Sequence, residues 1–234
     1  MSHLQDNLPP KNFYEKHLPC IILTDCSGGM AGAPIAELNQ GFVEFGKALQ
    51  ADSLAQGRVD VCVMSFSDTV KTELGFRSAE DYQAPTLVAG GLVDFNHAVI
   101  AALNQLDERK MECKQMGVFL YKPWLFVLLS GNPTDDKLEA DAKERLRYYI
   151  SHKKINYFPM GIGNADLSLL QSYYPDNDVF KPVLKADQKN FKDIFEWLAT
   201  NIAAVVGHAR SFSGPVESTP VPQSITLLNS YIHS

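Results

Sequence analysis

The sequence predicts an α/β fold: one domain with a doubly wound, mostly parallel sheet, helices on both faces and one antiparallel hairpin strand at the edge. Three observations lead to this prediction. Residues 18–24 and 124–129 are continuous apolar runs, as in strands buried on both faces of a parallel sheet. Strand and helix patterns alternate along the chain. Gly-containing loops follow both apolar runs, where such sheets form their binding sites.

The other strands are predicted from shorter apolar or alternating stretches. A turn signal, Ser67-Asp68, separates two of these stretches, so the second is predicted to return antiparallel as a hairpin. The predicted strands are 58–66, 70–76, 155–160 and 179–183.

Helices are predicted where apolar residues recur every three or four positions. The first begins near Pro34, which suits the first helical turn. Asp94 is placed to cap the helix that starts at Phe95. Further helices are predicted at 136–152, 167–172 and 191–207.

The domain organisation follows from changes in composition. Residues 1–17 read as an irregular leader, 18–210 as the domain and 211–234 as a flexible tail rich in Ser, Thr and Pro. Within the tail, residues 225–228 are apolar. They are interpreted either as part of a frayed terminus or as a segment that docks on another surface.

Composition argues against several classes of protein. A net charge of −6 gives no electrostatic footprint for nucleic acid or an anionic membrane. No run approaches 18 apolar residues, and the first residues do not have the pattern of a signal peptide. The four cysteines form no CxxC pair, so reduced thiols and a cytoplasmic location are predicted.

Motifs of common enzyme classes are also absent from the sequence. It contains no Gly-x-Ser-x-Gly elbow, no phosphate-binding GxxxxGK[ST] loop and no GxGxxG after the first strand. Asp25-Cys26-Ser27 has a serine where an aspartyl-phosphate phosphatase has its second aspartate. Cys26 precedes a helix, which can lower the pKa of a thiol, but no base partner is identifiable. A non-enzyme is therefore predicted.

Three loops are expected to meet at the carboxyl ends of the strands: 25–29, 90–94 and 130–136. Asp25 and Ser27 lie two residues apart in the first loop, so their oxygens can face one hard cation such as magnesium or manganese. The other interpretation of Asp25 is a strand-end carboxylate that accepts hydrogen bonds from loop N–H groups. Both interpretations are carried forward.

A family resemblance adds to this reading. The sequence Ile22-Leu23-Thr24-Asp25-Cys26-Ser27-Gly28-Gly29-Met30 resembles the first loop of von Willebrand factor A domains, in particular the bacterial TerY type associated with tellurite-resistance gene clusters. Later segments agree in order, among them Val63 to Ser67, Gly90-Gly91, Lys122-Pro123-Trp124 and Asn132 to Asp136. The resemblance covers residues 18–207 and implies the same fold.

The resemblance also implies a metal-ion-dependent adhesion site, from which this sequence departs. The family pattern is Asp-x-Ser-x-Ser in the first loop, Thr after Gly-Gly in the second and Asp in the third. Asp25 and Ser27 match it, whereas the other three positions are occupied by Gly29, Leu92 and Ser130. Because Gly29 and Leu92 have no side-chain oxygen, a degenerate site is predicted. Asp94 and Asp135 are the candidates to compensate as ligands.

The predicted function is a non-catalytic adaptor or scaffold in bacterial stress signalling that needs no cofactor. The resemblance implies a PP2C-type phosphatase or a Ser/Thr kinase as its partner, because such proteins are often encoded with the TerY type. The alternative is metal-dependent binding of an acidic partner residue through Asp25 and Ser27. Leu92 is interpreted either as a core residue or as an exposed apolar contact at the rim of the site.

Overall fold

Seven strands form one sheet in the computed structural model, which describes residues 7–134, 136–187, 190–207 and 222–228. Their order across the sheet is β3-β2-β1-β4-β5-β6-β7. Neighbouring strands from β2 to β6 pair in parallel, whereas β3 and β7 pair antiparallel at the two edges. The predicted mostly parallel sheet with an antiparallel edge hairpin is confirmed. The strands are β1 Leu18–Asp25, β2 Val59–Phe66, β3 Val70–Ser78, β4 Trp124–Leu129, β5 Asn156–Ile162, β6 Val183–Ala186 and β7 Ile225–Leu228.

Six α-helices connect or follow the strands of the described chain, and short 3-10 turns precede several of them. The predicted helices are confirmed to within a few residues at each end. The short helix α2 was not predicted; the side chain of Asp52 caps it by accepting from two of its N–H groups. The helices are α1 Ala33–Ala51, α2 Ser53–Arg58, α3 Phe95–Gln115, α4 Glu139–Ser151, α5 Leu167–Gln171 and α6 Phe191–Gly207.

One face of the sheet is covered by α1 and α6, which pack closely against each other. The apolar stripe of α1 is buried as its periodicity predicts, and Phe42 and Phe45 contact Phe195 of α6. Gly41 permits this approach, since a Cβ atom there would lie 2.5 Å from the Phe195 ring. An alanine at this position would therefore push the two helices apart.

The other face is covered by α3, α4 and α5. Phe95, at the start of α3, packs between Phe66 at the end of β2 and Tyr173 after α5. This cluster lies directly behind the loops at the carboxyl ends of the strands. The start of α3 and the loop before it are consequently held at a fixed position relative to the sheet.

The last two strands correct the sequence-based prediction. The strand predicted at 179–183 is wrong in position, because Val179 is 80% exposed and pairing with β5 begins only after Pro182, which has no N–H to donate. Part of the predicted flexible tail is also ordered: β7 pairs with β6 and buries Ile225. Docking of 225–228 is therefore the interpretation that the structure supports. Residues 1–6 and, within the predicted tail, residues 211–221 and 229–234 lie outside the described residues.

The leader is tied to the domain by a buried network of charges that the sequence reading missed. His17, Asp60 and Arg109 are fully buried; Asp60 accepts from Arg109 at 2.9 Å and faces Nδ1 of His17 at 3.1 Å. The other ring nitrogen of His17 faces the carbonyl oxygen of Asn12 at 3.0 Å. Since both neighbours are acceptors, the doubly protonated imidazolium fits this position. Burial opposes that charge, but the hydrogen bond and the charge of Asp60 outweigh burial and raise the pKa of His17.

Candidate functional site

The candidate site lies where the direction of strand order reverses. From β1 the chain proceeds to β2 and β3 on one side, and β4 begins the other half on the opposite side of β1. Loops diverge at such a point and leave a crevice beyond the carboxyl ends of the two central strands. Asp25 ends β1, and Ser130 follows the last residue of β4. The structure therefore brings the first and third predicted loops together.

The carboxylate of Asp25 is occupied by hydrogen bonds from these loops. Its Oδ1 accepts from the backbone N–H of Ser27 at 2.7 Å. Its Oδ2 accepts from both the backbone N–H and the hydroxyl of Ser130, at 2.9 and 2.7 Å. Asp25 is only 1% exposed. The geometry matches the interpretation in which a strand-end carboxylate holds loop N–H groups, and both its oxygens are engaged.

Backbone hydrogen bonds fix the second loop against the first. Gly28 N–H donates to the carbonyl of Gly91 at 3.0 Å, and Gly90 N–H donates to that of Cys26 at 2.8 Å. Gly91 has a φ of +82°, and a Cβ atom there would lie 2.3 Å from the carboxylate of Asp68, so this position requires glycine. The sequence identified Asp68 only as part of a turn, because its role depends on a contact with a distant loop.

Leu92 lies on the surface at the rim of the site. Its side chain is 62% exposed, while its backbone N–H donates to Oδ1 of Asp68 at 2.7 Å. The interpretation of Leu92 as a core residue is therefore wrong, and the interpretation as an exposed apolar contact agrees with the structure. The position lacks the oxygen that a threonine would bring.

Gly29 is exposed and contributes no side-chain atom to the site. A Cβ atom at this position would lie 3.9 Å from the hydroxyl oxygens of both Ser27 and Ser130. A serine in place of Gly29 would thus begin at van der Waals distance from both.

Of the two predicted compensating ligands, only Asp94 lies among the described residues. Asp94 occupies the N-cap position of α3 but makes no side-chain capping bond, so the predicted cap is wrong. Its Oδ2 instead lies 3.1 Å from Nδ1 of His97, one turn along the helix. Asp135 lies outside the described residues. Asp94 is therefore engaged with a partner of its own, outward from the buried Asp25.

The side chains that the structure describes at this site do not fit a magnesium ion. Magnesium requires six oxygen ligands in near-octahedral geometry and gives up its water reluctantly. Here Gly29 and Leu92 offer none, and the oxygens of Asp25 already accept from Ser27 and Ser130. Among the described residues, no group of three or more His, Cys, Asp or Glu is arranged to hold a metal ion.

The Cys26 thiol is not activated by its position in the loop. It is 3% exposed, and burial, reinforced by the charge of Asp25, raises its pKa to about 12. The position before a helix left open a lowered pKa for this thiol, and burial shifts the pKa in the opposite direction. A thiolate nucleophile is thus disfavoured at Cys26 at neutral pH.

A small cleft of about 260 Å³ adjoins the third loop. Asn132 and Pro133 line it on one side, and Asn96, Asp166 and Tyr173 line it on the other. The hydroxyl of Tyr173 donates to Oδ1 of the buried Asn96, which fixes the floor of the cleft. The cleft extends the loop edge beyond Asp25 and gives it a concave side.

Comparison with known proteins supports the fold. The von Willebrand factor domain of the type V pili tip protein Mfa5 from Porphyromonas gingivalis superposes with a TM-score of 0.59 at 10% identity, over 85% of this chain and 99% of that one. Proximal thread matrix protein 1 from mussel byssus gives a TM-score of 0.56 at 13% identity, over 81% and 48%. The chain has a von Willebrand A-type fold.

A third similar structure is the ArnB paralog VWA2 from Sulfolobus acidocaldarius, with a TM-score of 0.49, 14% identity and coverage of 81% and 45%. The chain therefore spans less than half the length of the Sulfolobus and mussel proteins. No model of a known protein family matches the sequence, and no curated protein matches it. Within the described part of the chain, no helix is both long and apolar enough to cross a membrane.

Proposed function

We propose that this von Willebrand A-type domain is a non-catalytic protein-binding module whose loop edge contacts its partner without a bridging metal ion. The proposal rests on the hydrogen bonds that the buried Asp25 carboxylate accepts. Its two carboxylate oxygens accept three hydrogen bonds from Ser27 and Ser130, so the residue acts as a structural tie between loops. In this proposal the site is a degenerate metal-ion-dependent adhesion site.

The rim of the loop edge offers apolar contacts in place of a metal. Leu92 is 62% exposed, and Val88, in the segment just before this loop, is 84% exposed. Exposed apolar side chains beside a concave polar surface are a common feature of protein interfaces. Because the loops are cross-linked by backbone hydrogen bonds, the surface is preorganised, and a partner that binds it has little loop motion to restrict.

The finer part of the proposal concerns the biological setting. The resemblance to TerY-type proteins supports a role as scaffold or adaptor in bacterial stress or tellurite-resistance signalling, in the cytoplasm. A PP2C-type phosphatase, a Ser/Thr kinase or both are the proposed partners. The competing function, metal-dependent binding of an acidic residue through Asp25 and Ser27, requires an ion to displace the present hydrogen bonds of Asp25.

Affinity capture from native extract tests the proposal, run in parallel with magnesium and with a chelator and read by mass spectrometry. We expect the same phosphatase or kinase under both conditions. Leu92→Asp should abolish its capture, whereas Val179→Asp, which changes another exposed valine away from the loop edge, should retain it. Loss of every specific partner in chelator would instead establish the metal-dependent function, and turnover of phosphoesters or esters would contradict the non-catalytic role.

A further inference from the structure

A second surface lies at the opposite end of the sheet, where the parallel strands begin. We call it the basal face and define it by six exposed or half-buried residues: Tyr14, Lys16, Phe119, Lys122, Lys153 and Lys154. The leader and the segments before β4 and β5 meet there. Backbone hydrogen bonds join them, from His17 to Phe119 at 2.9 Å and from Asn156 to Pro123 at 2.8 Å.

Two aromatic side chains project from the basal face. Tyr14 is fully exposed, and Phe119 is 79% exposed. They stand on segments that are held together, since His17 both donates to Phe119 and accepts from Tyr121 through backbone groups. Large aromatic side chains left in water on a rigid backbone are the residues that most often anchor a protein interface.

The basal face also carries positive charge that the domain does not neutralise. Within the described chain, none of its four lysines forms a salt bridge with a carboxylate. Two acidic residues of this region are already paired: Glu15 with Arg58 and Glu112 with Arg109. The chain as a whole has a net charge of −6, so the positive charge of the basal face is opposite in sign to the net charge of the protein.

Two lysines of the basal face, Lys122 and Lys153, stand close enough to repel each other. Burial and the neighbouring charge of Lys153 lower the pKa of Lys122. Lys154 lies 4.4 Å from the centre of the Tyr148 ring, and Lys16 lies the same distance from that of Tyr121. Aromatic rings thus hold two of these cations in place, and neither forms a salt bridge with a described carboxylate.

We propose that the basal face binds an acidic segment of a protein partner, in which carboxylates alternate with apolar side chains. The carboxylates would pair with Lys16, Lys122 and Lys153, and the apolar side chains would cover Tyr14 and Phe119. Nucleic acid fits less well, because four lysines on a chain with a net charge of −6 supply few phosphate contacts. This binding uses the end of the sheet opposite to Leu92 and does not depend on the proposed function of the loop edge.

A fluorescein-labelled peptide of alternating glutamate with leucine and phenylalanine is the probe, with binding measured by fluorescence anisotropy on the full chain. The double variant Lys16→Glu with Lys153→Glu should weaken binding about tenfold or more, since charges across an interface govern encounter and register. The matched control, Lys71→Glu with Lys185→Glu, makes the same total change of charge at two other exposed lysines, neither of which forms a salt bridge with a described residue. It should alter binding by less than about twofold.

The aromatic contribution is tested separately with Phe119→Ser. Because Phe119 is 79% exposed, the melting temperature should stay unchanged while peptide binding weakens about fivefold or more. Three results would overturn the proposal: equal weakening in the Lys71 and Lys185 control, equal binding of a peptide with lysine in place of glutamate, or tighter binding to oligo(dT) or phosphatidylserine vesicles than to the acidic peptide. The last result would assign the surface to nucleic acid or to a membrane instead.

Discussion

Ser130 donates two hydrogen bonds to the same carboxylate oxygen of Asp25, one from its backbone N–H and one from its hydroxyl. The two residues are 105 positions apart in the chain. Asp25 ends β1 and Ser130 follows β4, so this contact closes the crevice between the two central strands. Ser130 occupies the position at which the family pattern has an aspartate ligand. It acts here as a hydrogen-bond donor to the carboxylate of Asp25.

The first prediction concerns the structural role of Asp25. Asp25→Asn preserves the shape of the side chain but replaces one acceptor oxygen with an NH₂ group that faces N–H donors. Because the site is buried, we expect the free energy of unfolding to fall by about 2 kcal/mol. The fall should be the same in magnesium and in chelator. Urea unfolding followed by circular dichroism measures it.

Ser27→Ala is the matched control for this prediction. The variant retains the backbone N–H that Ser27 donates to Asp25 and removes only the hydroxyl. We expect the free energy of unfolding to change by less than about 0.5 kcal/mol. A metal site would need both residues, so a magnesium-dependent stabilisation of the wild type that both variants abolish would contradict the structural role.

The second prediction is that the missing oxygens can be restored. Gly29→Ser, Leu92→Thr and Ser130→Asp together supply a hydroxyl beside Ser27, a second hydroxyl and a second carboxylate. Magnesium or manganese should then raise the melting temperature of the triple variant, because an ion at 100 times its Kd adds about 2.7 kcal/mol to the free energy of unfolding. The wild type should show no such shift. Differential scanning fluorimetry measures both proteins, and an equal shift in the wild type would show that its present donors suffice.

Sequence alone predicted the parts of this molecule that depend on local patterns. The buried strand β4 is apolar over its whole length, β1 is apolar from Leu18 to Leu23, and the buried face of α1 has a helical period. By contrast, the bond between Asp25 and Ser130 arises only when distant strand ends become neighbours. The same holds for β7, whose four residues carry no strand signal until β6 offers an edge to pair with.

The third prediction concerns β7. Ile225 is 4% exposed, whereas the side chain of the next residue, Thr226, lies on the surface. Ile225→Asp would place an unpaired carboxylate in the core, so we expect it to lower the free energy of unfolding by about 2–3 kcal/mol. Thr226→Asp should change it by less than about 0.5 kcal/mol. Equal effects of the two variants in urea unfolding would show that the strand does not pack on β6 in the register Lys185 to Thr226.

The fourth prediction concerns the dependence of stability on pH through His17. Its pKa is raised above the ordinary 6.5, because hydrogen bonding to Asp60 and the charge of that carboxylate outweigh the cost of burial. A group whose folded-state pKa is raised stabilises the protein fully below its unfolded-state pKa. The stabilisation is lost as the pH rises through the folded-state value. The contribution of His17 is therefore complete below about pH 6.5 and decreases at higher pH.

His17→Gln should remove the contribution of His17 to the pH dependence of stability. The contributions of the other titrating groups cancel when the variant is compared with the wild type. We expect the loss of unfolding free energy in His17→Gln to be largest near pH 6, at about 3–5 kcal/mol for a broken buried pair, and to shrink toward pH 9. His152→Gln, which changes an exposed histidine at the end of α4, should leave stability nearly unchanged at every pH. A loss for His17→Gln that grows with pH would reverse the assigned charge state, because it would mean that neutral His17 is the form that the buried network stabilises.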